Sequence, residues 1–289
     1  MLAAIESGGT KFVCALAETP ERVLHRVEIP TTTPDETFAR VREVLAAHRW
    51  ITALGIAAFG PVDIDPASPT HGEVLVTSKP NWQGASYVEA FASLGVPVKI
   101  ESDVSGACLG EWAHGAGQNA PVVAYVTVGT GIGAGVVHEG RILNGIGHFE
   151  MGHIPVVRPD GDTAKSTCPI HDDCLEGLAS GPSIMARWGK PLSELARDHE
   201  AVDLEARYLA QLARTITLTH MPSRIIFGGG VMKTPGLIKA VRRHTRAGLG
   251  GYVAQTRTGD LSDVILPAAL GDNAGITGAL MLAQQALTG

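Results

Sequence analysis

Cysteine, histidine and cysteine recur every third residue in "CPIHDDCLEG", at Cys168, His171 and Cys174. Thiolate and imidazole together are the ligand chemistry of zinc, which takes four such donors in tetrahedral geometry. A fourth ligand is therefore needed. "GHFEMGHIPV", just upstream, holds His148, Glu150 and His153. His153 completes a His–Cys–His–Cys set, and His148 is the competing ligand. The spacing departs from common zinc-finger patterns. A Cys168–Cys174 disulfide is disfavoured in a reducing compartment. The other two cysteines, Cys14 and Cys108, lie in apolar surroundings and read as buried thiols.

A second kind of chemistry is carried by glycine. "GGTK", Gly8 to Lys11, follows an apolar run. Glycines there let backbone N–H groups approach an anion, and Lys11 adds charge. The Walker A spacing is absent. "GTGIGAG", Gly129 to Gly135, leads into a strand where a dinucleotide site needs a helix. "FGGGVM" begins at Phe227. Each alone reads as an ordinary turn; the three together read as the lining of one nucleotide. "ESDVSGACLGEW" places Asp103 between an apolar run and a helical one. Two readings stand there. Ser102 or Asp103 caps the helix, or Asp103 is a working carboxylate at the C-terminal edge of a sheet, where α/β proteins gather their sites.

These residues need elements to position them. "LAAIESGGTKFVCALAE" predicts strand, glycine turn, strand, and "PVVAYVTVGTGIGAGVVHEG" predicts the same unit again. Two related α/β halves follow from that likeness; two unrelated hairpins are the alternative. Thr33 and Glu36 form a capping box with Pro34 at the first helical position, and Phe38, Val41 and Leu45 share one helical face. "ITALGIAAFG" and "VPVKIES" predict buried strands. "LEARYLAQLARTITLTH" predicts a long helix, "SRIIFGGG" another buried strand, and "NAGITGALMLAQQAL" a last helix packing back on a sheet. Strands alternating with helices give α/β layers.

The whole chain of 289 residues is long for one compact core. Hydrophobic residues make up 45% and charged residues 18%, ordinary for a globular protein. A net charge of −6 gives no electrostatic reason to expect nucleic acid or an anionic membrane as partner. No apolar run approaches the roughly 20 residues of a membrane helix. The start, "MLAAIESGGTKF", has no basic region and only a short apolar run, so no signal peptide is expected. A cytoplasmic protein is the expectation.

Taken in order, "IESGGTKF", "AAFGPVD", "ESDVSGACLGEW", "VTVGTGIGAGVV", "EMGH", "CPIHDDCLEG" and "GGGVM" resemble the ROK family of sugar kinases and repressors along essentially the whole chain. "CPIHDDCLEGLASGP" and "KPNW" are most similar to its bacterial fructokinase branch. The resemblance implies an actin-like (ribonuclease H-like) ATPase fold, two duplicated α/β domains around a cleft. The expected division is 1–115 with the phosphate loop and the catalytic Asp, 116–270 with the zinc loop and nucleotide site, and 271–289 as a helix packing back on the first domain. By the same resemblance Asp103 is the catalytic base, and Glu150, His153 and Glu176 bind the sugar. Gly9, Thr10, Lys11, Thr130, Gly131, Pro182, Gly229, Gly230, Val231, Met232 and Lys233 bind nucleotide. His153, Cys168, His171 and Cys174 bind a structural Zn²⁺, and Mg²⁺ accompanies ATP. ATP and a hexose, most of all D-fructose, are the implied partners, in a homodimer. Glucose, mannose or N-acetylhexosamine kinases are the alternatives among enzymes. A sugar sensor without catalysis is the alternative of another class; a repressor needs a helix-turn-helix ahead of "GGT", and seven residues leave no room for one. Two departures stand out: Ser102 where many members have Asn, and Phe149 where the branch often has proline.

Overall fold

The computed structural model describes residues 1–48, 50–77, 79–253 and 259–288. They fall into two compact units. The first comprises Met1–Ala113, Arg141–His148 and Asp272–Gly289; the second comprises His114–Gly140 and Phe149–Gly271.

In the first unit the chain forms β1 (Leu2–Ser7), β2 (Lys11–Thr19), β3 (Arg22–Pro30), α1 (Pro34–Ala46), β4 (Ala53–Ala58), α2 (Tyr87–Phe91), β5 (Val98–Ser102) and α3 (Asp103–His114). The sheet order is β3-β2-β1-β4-β5. β1 pairs antiparallel with β2 and parallel with β4, and β4 runs parallel to β5. The second sheet repeats this plan. β6 (Val122–Val128), β7 (Ile132–His138), β8 (Arg141–Ile142), β9 (Arg224–Gly228) and β10 (Ile265–Pro267) lie in the order β10-β9-β6-β7-β8. Read from β8, strand for strand, that is the first sheet's order. β6 pairs antiparallel with β7 and parallel with β9, as β1 does with β2 and β4. The two glycine hairpins are therefore corresponding parts of a repeated sheet, not unrelated turns.

Among the described residues five further α-helices follow: α4 (Leu175–Ala179), α5 (Gly181–Trp188), α6 (Glu200–His220), α7 (Leu237–Leu249) and α8 (Ala274–Ala286). The expected cap of α1 is present, with Glu36 N–H donating to Thr33 Oγ1 and Phe38, Val41 and Leu45 buried. β3 is the strand missing from the expectation above. Val23, His25, Val27 and Ile29 alternate along it, but most of its residues are exposed because it is an edge strand.

One face of the first sheet packs Ile5, Phe12 and Leu16 against Phe38, Trp82, Tyr87 and Phe91. Its other face packs Ala4, Val13 and Ala57 against Ile276, Ala279, Leu280 and Ala283 of α8. That second contact is almost backbone on backbone. A Cβ on Gly55 would lie 1.9 Å from the Ala279 carbonyl, and α8 meets α3 as closely, a Cβ on Gly278 lying 1.7 Å from the Gly106 carbonyl. The core of the second unit joins Val126, Val128, Ile225 and Phe227 to Leu209, Leu212 and Ile216 of α6. Among the described residues no helix is long and apolar enough to cross a membrane.

Candidate active site

In the first unit β1, β4 and β5 are parallel, so their C-terminal ends share one sheet edge. Asp103 emerges there as the first residue of α3. The cap of that helix is its neighbour: Ser105 N–H donates to Ser102 Oγ at 3.2 Å, and the two hydroxyls bond at 2.9 Å. Asp103 Oδ1 accepts from the adjacent Val104 N–H, at 2.7 Å. Helix capping thus falls to Ser102 and does not account for the carboxylate beside it.

Glu6, at the end of β1, belongs to the same edge. Burial first, and the charge of Asp103 second, raise its carboxyl from 4.5 to about 7; Arg26, Lys11 and the Ile276 N–H pull it back. Glu6 Oε2 is buried with no hydrogen-bond partner. Glu101, on β5, is also buried and raised, and Asn144 Nδ2 donates to both its oxygens at 3.1 and 3.0 Å. Sequence reasoning singled out neither carboxylate. A charged residue inside an apolar run was the available signal.

The "GGTK" loop closes through Gly8 N–H to the Lys11 carbonyl, 2.9 Å. Nothing lies within 4 Å of where a Gly9 Cβ would stand. Lys11 Nζ is held by Glu28 Oε1 at 2.7 Å, and Arg26 reaches the same oxygen at 2.9 Å. The loop therefore has an open glycine face, and its own lysine is turned to β3.

In the second unit four motifs meet on the "GTG" loop. Gly181 N–H donates to the Gly129 carbonyl at 2.7 Å, which seats "SGPS" and Pro182, near the start of α5, beside Thr130. Gly229, at φ +90, would place a Cβ 2.3 Å from the Val128 carbonyl. Gly152 would place one 1.7 Å from the Ile132 carbonyl, so only glycine lets "EMGH" lie against the start of β7. Ile132 N–H donates to Glu176 Oε2 at 2.9 Å. Gly230, by contrast, has open space, and Val231–Lys233 form a short 3-10 turn after it.

Glu150 and His153 flank Gly152. Burial raises the Glu150 carboxyl; His153 opposes this and Glu176 adds to it. His153 and the Cys segment are brought together: one ligand atom each from His153, Cys168, His171 and Cys174 lies within 4.8 Å of the others. Cys168 Sγ is 3.9 Å from His153 Nδ1 and 3.6 Å from His171 Nδ1. Tetrahedral zinc with ordinary Zn–S and Zn–N bonds has S···N edges of about 3.6 Å. The donor set and its spacing fit zinc. The far nitrogen of His153, Nε2, faces Glu176 Oε1 at 3.8 Å, longer than a hydrogen bond. His148, the competing ligand, is elsewhere: its Nε2 accepts from Val62 N–H at 3.1 Å.

The ligand loop is not held by the cluster alone. Arg158 donates to Asp173 at 2.6 Å and to the Ala164 carbonyl at 2.6 Å. Asp162, deep in the same loop, pairs with Arg187 and accepts from Tyr208. These side-chain partners lie 15 to 46 residues apart in sequence, so the metal reading passed over them.

The ROK family pattern matches residues 2–286. The chain is 41% identical over 289 residues to a putative fructokinase of Bacillus subtilis, covering 99% of this chain and 96% of that one. It is 41% identical over 288 residues to a fructokinase of Pediococcus pentosaceus, with 99% of each covered. A ROK hexokinase from Thermus thermophilus superposes with TM-score 0.80 at 26% identity over 99% of both chains. A ROK glucokinase from Streptomyces griseus, solved with glucose and AMPPNP, gives 0.78 at 25% identity over 98% of this chain and 99% of that chain. The repeated five-stranded sheets are those of the actin-like ATPase fold, and the chain belongs to the ROK family.

Proposed function

We propose that the protein transfers the γ-phosphoryl group of ATP to a hexose, D-fructose, giving fructose 6-phosphate and ADP. The observation that carries the choice of sugar is the 41% full-length identity to proteins named as fructokinases. The more distant glucokinases, such as that of Halalkalibacterium halodurans at 27%, support glucose less.

A sugar hydroxyl is a poor nucleophile until its proton is taken. Asp103 is the base: its carboxylate receives the proton of the 6-hydroxyl as that oxygen forms its bond to the γ-phosphorus. The bond from phosphorus to the β,γ-bridging oxygen breaks, and ADP leaves with the electron pair. Asp103 begins a helix, where the macrodipole favours the ionised form that accepts a proton. Mg²⁺, carried in with ATP, supplies neutralisation of phosphate charge.

In this reading the first unit supplies Asp103 and the Gly9–Thr10 loop. The second supplies nucleotide contacts at Thr130, Gly131, Pro182 and Gly229 to Lys233. Glu150, His153 and Glu176 recognise sugar hydroxyls, for which fixed carboxylates and imidazoles are suited. A zinc ion held by His153, Cys168, His171 and Cys174 would have its four positions filled by protein, the mark of a structural site. Bound there, it would supply a cross-link between "EMGH" and the segment ending in Glu176. Incubation with MgATP and fructose, followed by ³¹P NMR, tests the reaction. A phosphomonoester on O6 with stoichiometric ADP is expected; ADP without sugar phosphate would overturn it.

A further inference from the structure

The cation at the open face of the "GGT" loop is not the lysine of that motif. Lys11 Nζ is engaged by Glu28 at the β3 edge. Lys79 Nζ instead donates to the Gly9 carbonyl, reaching the loop from 70 residues away. The "KPNW" stretch that carries it is anchored firmly. Trp82 is fully buried, packs on Phe12, Phe38 and Phe59, and donates Nε1–H to the Thr32 carbonyl at 2.9 Å. Thr31, the next residue back, ties to the phosphate loop on both sides of Gly9: its N–H meets the Thr10 carbonyl at 2.9 Å and its hydroxyl the Gly8 carbonyl at 2.7 Å. Between Lys79 and Trp82, Pro80 fixes its own φ and Asn81 sits in the left-handed region at φ 67. Trp82, Thr32 and Thr31 thus register Lys79 against Gly9 through one short path of hydrogen bonds.

We propose that Lys79 is the phosphate-binding lysine of this loop, meeting the terminal phosphate of a nucleoside triphosphate. The proposal rests on the sugar-kinase reading above. An ammonium has three donors. Gly9 takes one, two are left, and the space where a Gly9 Cβ would stand is open beside them. The contact is to the terminal phosphate because phosphoryl transfer places its largest charge change there. The pairing at Gly9 holds the side chain at the loop before nucleotide arrives, which lowers the ordering cost on binding.

The experiment compares Lys79→Ala, Lys79→Met, Lys79→Arg and Lys11→Ala. Calorimetry measures AMPPNP and ADP binding in Mg²⁺ without sugar, so it can fail separately from the sugar-kinase reading. Lys79→Ala and Lys79→Met should weaken AMPPNP by about 10- to 100-fold, the range for a lost hydrogen bond to a charged group. ADP should weaken much less, and Lys79→Arg should restore part of the loss. Lys11→Ala should cost less than Lys79→Ala. Thermal melts show which variant is folded, and Lys79→Met, which keeps the stem, stands in if Lys79→Ala is not. Equal losses for AMPPNP and ADP, a larger loss from Lys11→Ala, or loss of folding in both Lys79→Ala and Lys79→Met would overturn the proposal. A parent protein that binds no AMPPNP would overturn it together with the kinase reading.

Discussion

Replacing Glu6 by Gln should change how stability depends on pH, by an amount the structure sets. The Glu6 carboxyl sits against the start of α8, where a Cβ on Gly275 would lie 2.4 Å from its Oε1. Burial, then the Asp103 charge, raise it from 4.5 to about 7. An acid with a raised folded pKa holds its proton in the folded chain after the unfolded chain has lost it. Between pH 4.5 and about 7 the folded state therefore binds more protons, and stability falls as pH rises. At about 1.36 kcal/mol per pH unit, that window is worth on the order of 3 kcal/mol. Urea unfolding at pH 5, 6, 7 and 8 measures it as the difference between parent and Glu6→Gln. Glu101, Glu150 and Glu205, also raised by burial, titrate in both proteins and cancel. The variant should gain on the parent steadily up to about pH 7 and then hold its lead. In an Asp103→Asn background the window should shift to lower pH, since one source of the rise is gone. A parent–variant difference that stays flat from pH 5 to 8 would refute the assignment of a buried proton to Glu6.

Asp103→Asn should lower kcat by about 10² or more, the range of a lost general base, with AMPPNP affinity little changed; parent-like turnover would remove Asp103 from the chemistry. Gly230→Val should weaken ATP binding while leaving the fold intact, because its Cβ enters open space, whereas Gly229→Val should destabilise the fold by clashing with Val128; thermal melts and calorimetry on the pair separate the two effects. Cys174→Ser should lower zinc from about one per chain, the four-ligand expectation, and raise KM for sugar. The circular dichroism of that variant should stay near the parent's, since Arg158 and the Asp162–Arg187 pair also brace the loop; full activity without bound metal would refute the clamp.

What the sequence disclosed follows from how local each signal is. Three of the four sulfur and nitrogen donors lie within seven residues, so the cluster is legible from spacing. The choice of His153 over His148 is not. It depends on Gly152 meeting the Ile132 backbone and on His148 being taken by Val62. The duplicated sheet is legible from the two glycine hairpins, whereas β3 is an exposed edge whose alternation carries little apolar weight. The bracing of the ligand loop by Arg158 and Asp162 is not legible, because its ion pairs join residues far apart in sequence. Glu6 reads as a polar end to a strand; its raised proton affinity comes from burial and from the charge of Asp103, nearly a hundred residues on. Lys79 stands in a motif noted only for likeness, and its reach to Gly9 depends on where Trp82 is buried.

The most direct test of the account is kcat/KM for fructose, glucose, mannose and N-acetylhexosamines, measured by coupled ADP release at saturating MgATP with the parent protein. The account predicts the highest value for fructose, with an accompanying loss on Asp103→Asn. A higher value for another hexose would contradict the choice of substrate, and no sugar-dependent ADP with any of them would contradict the kinase reading itself.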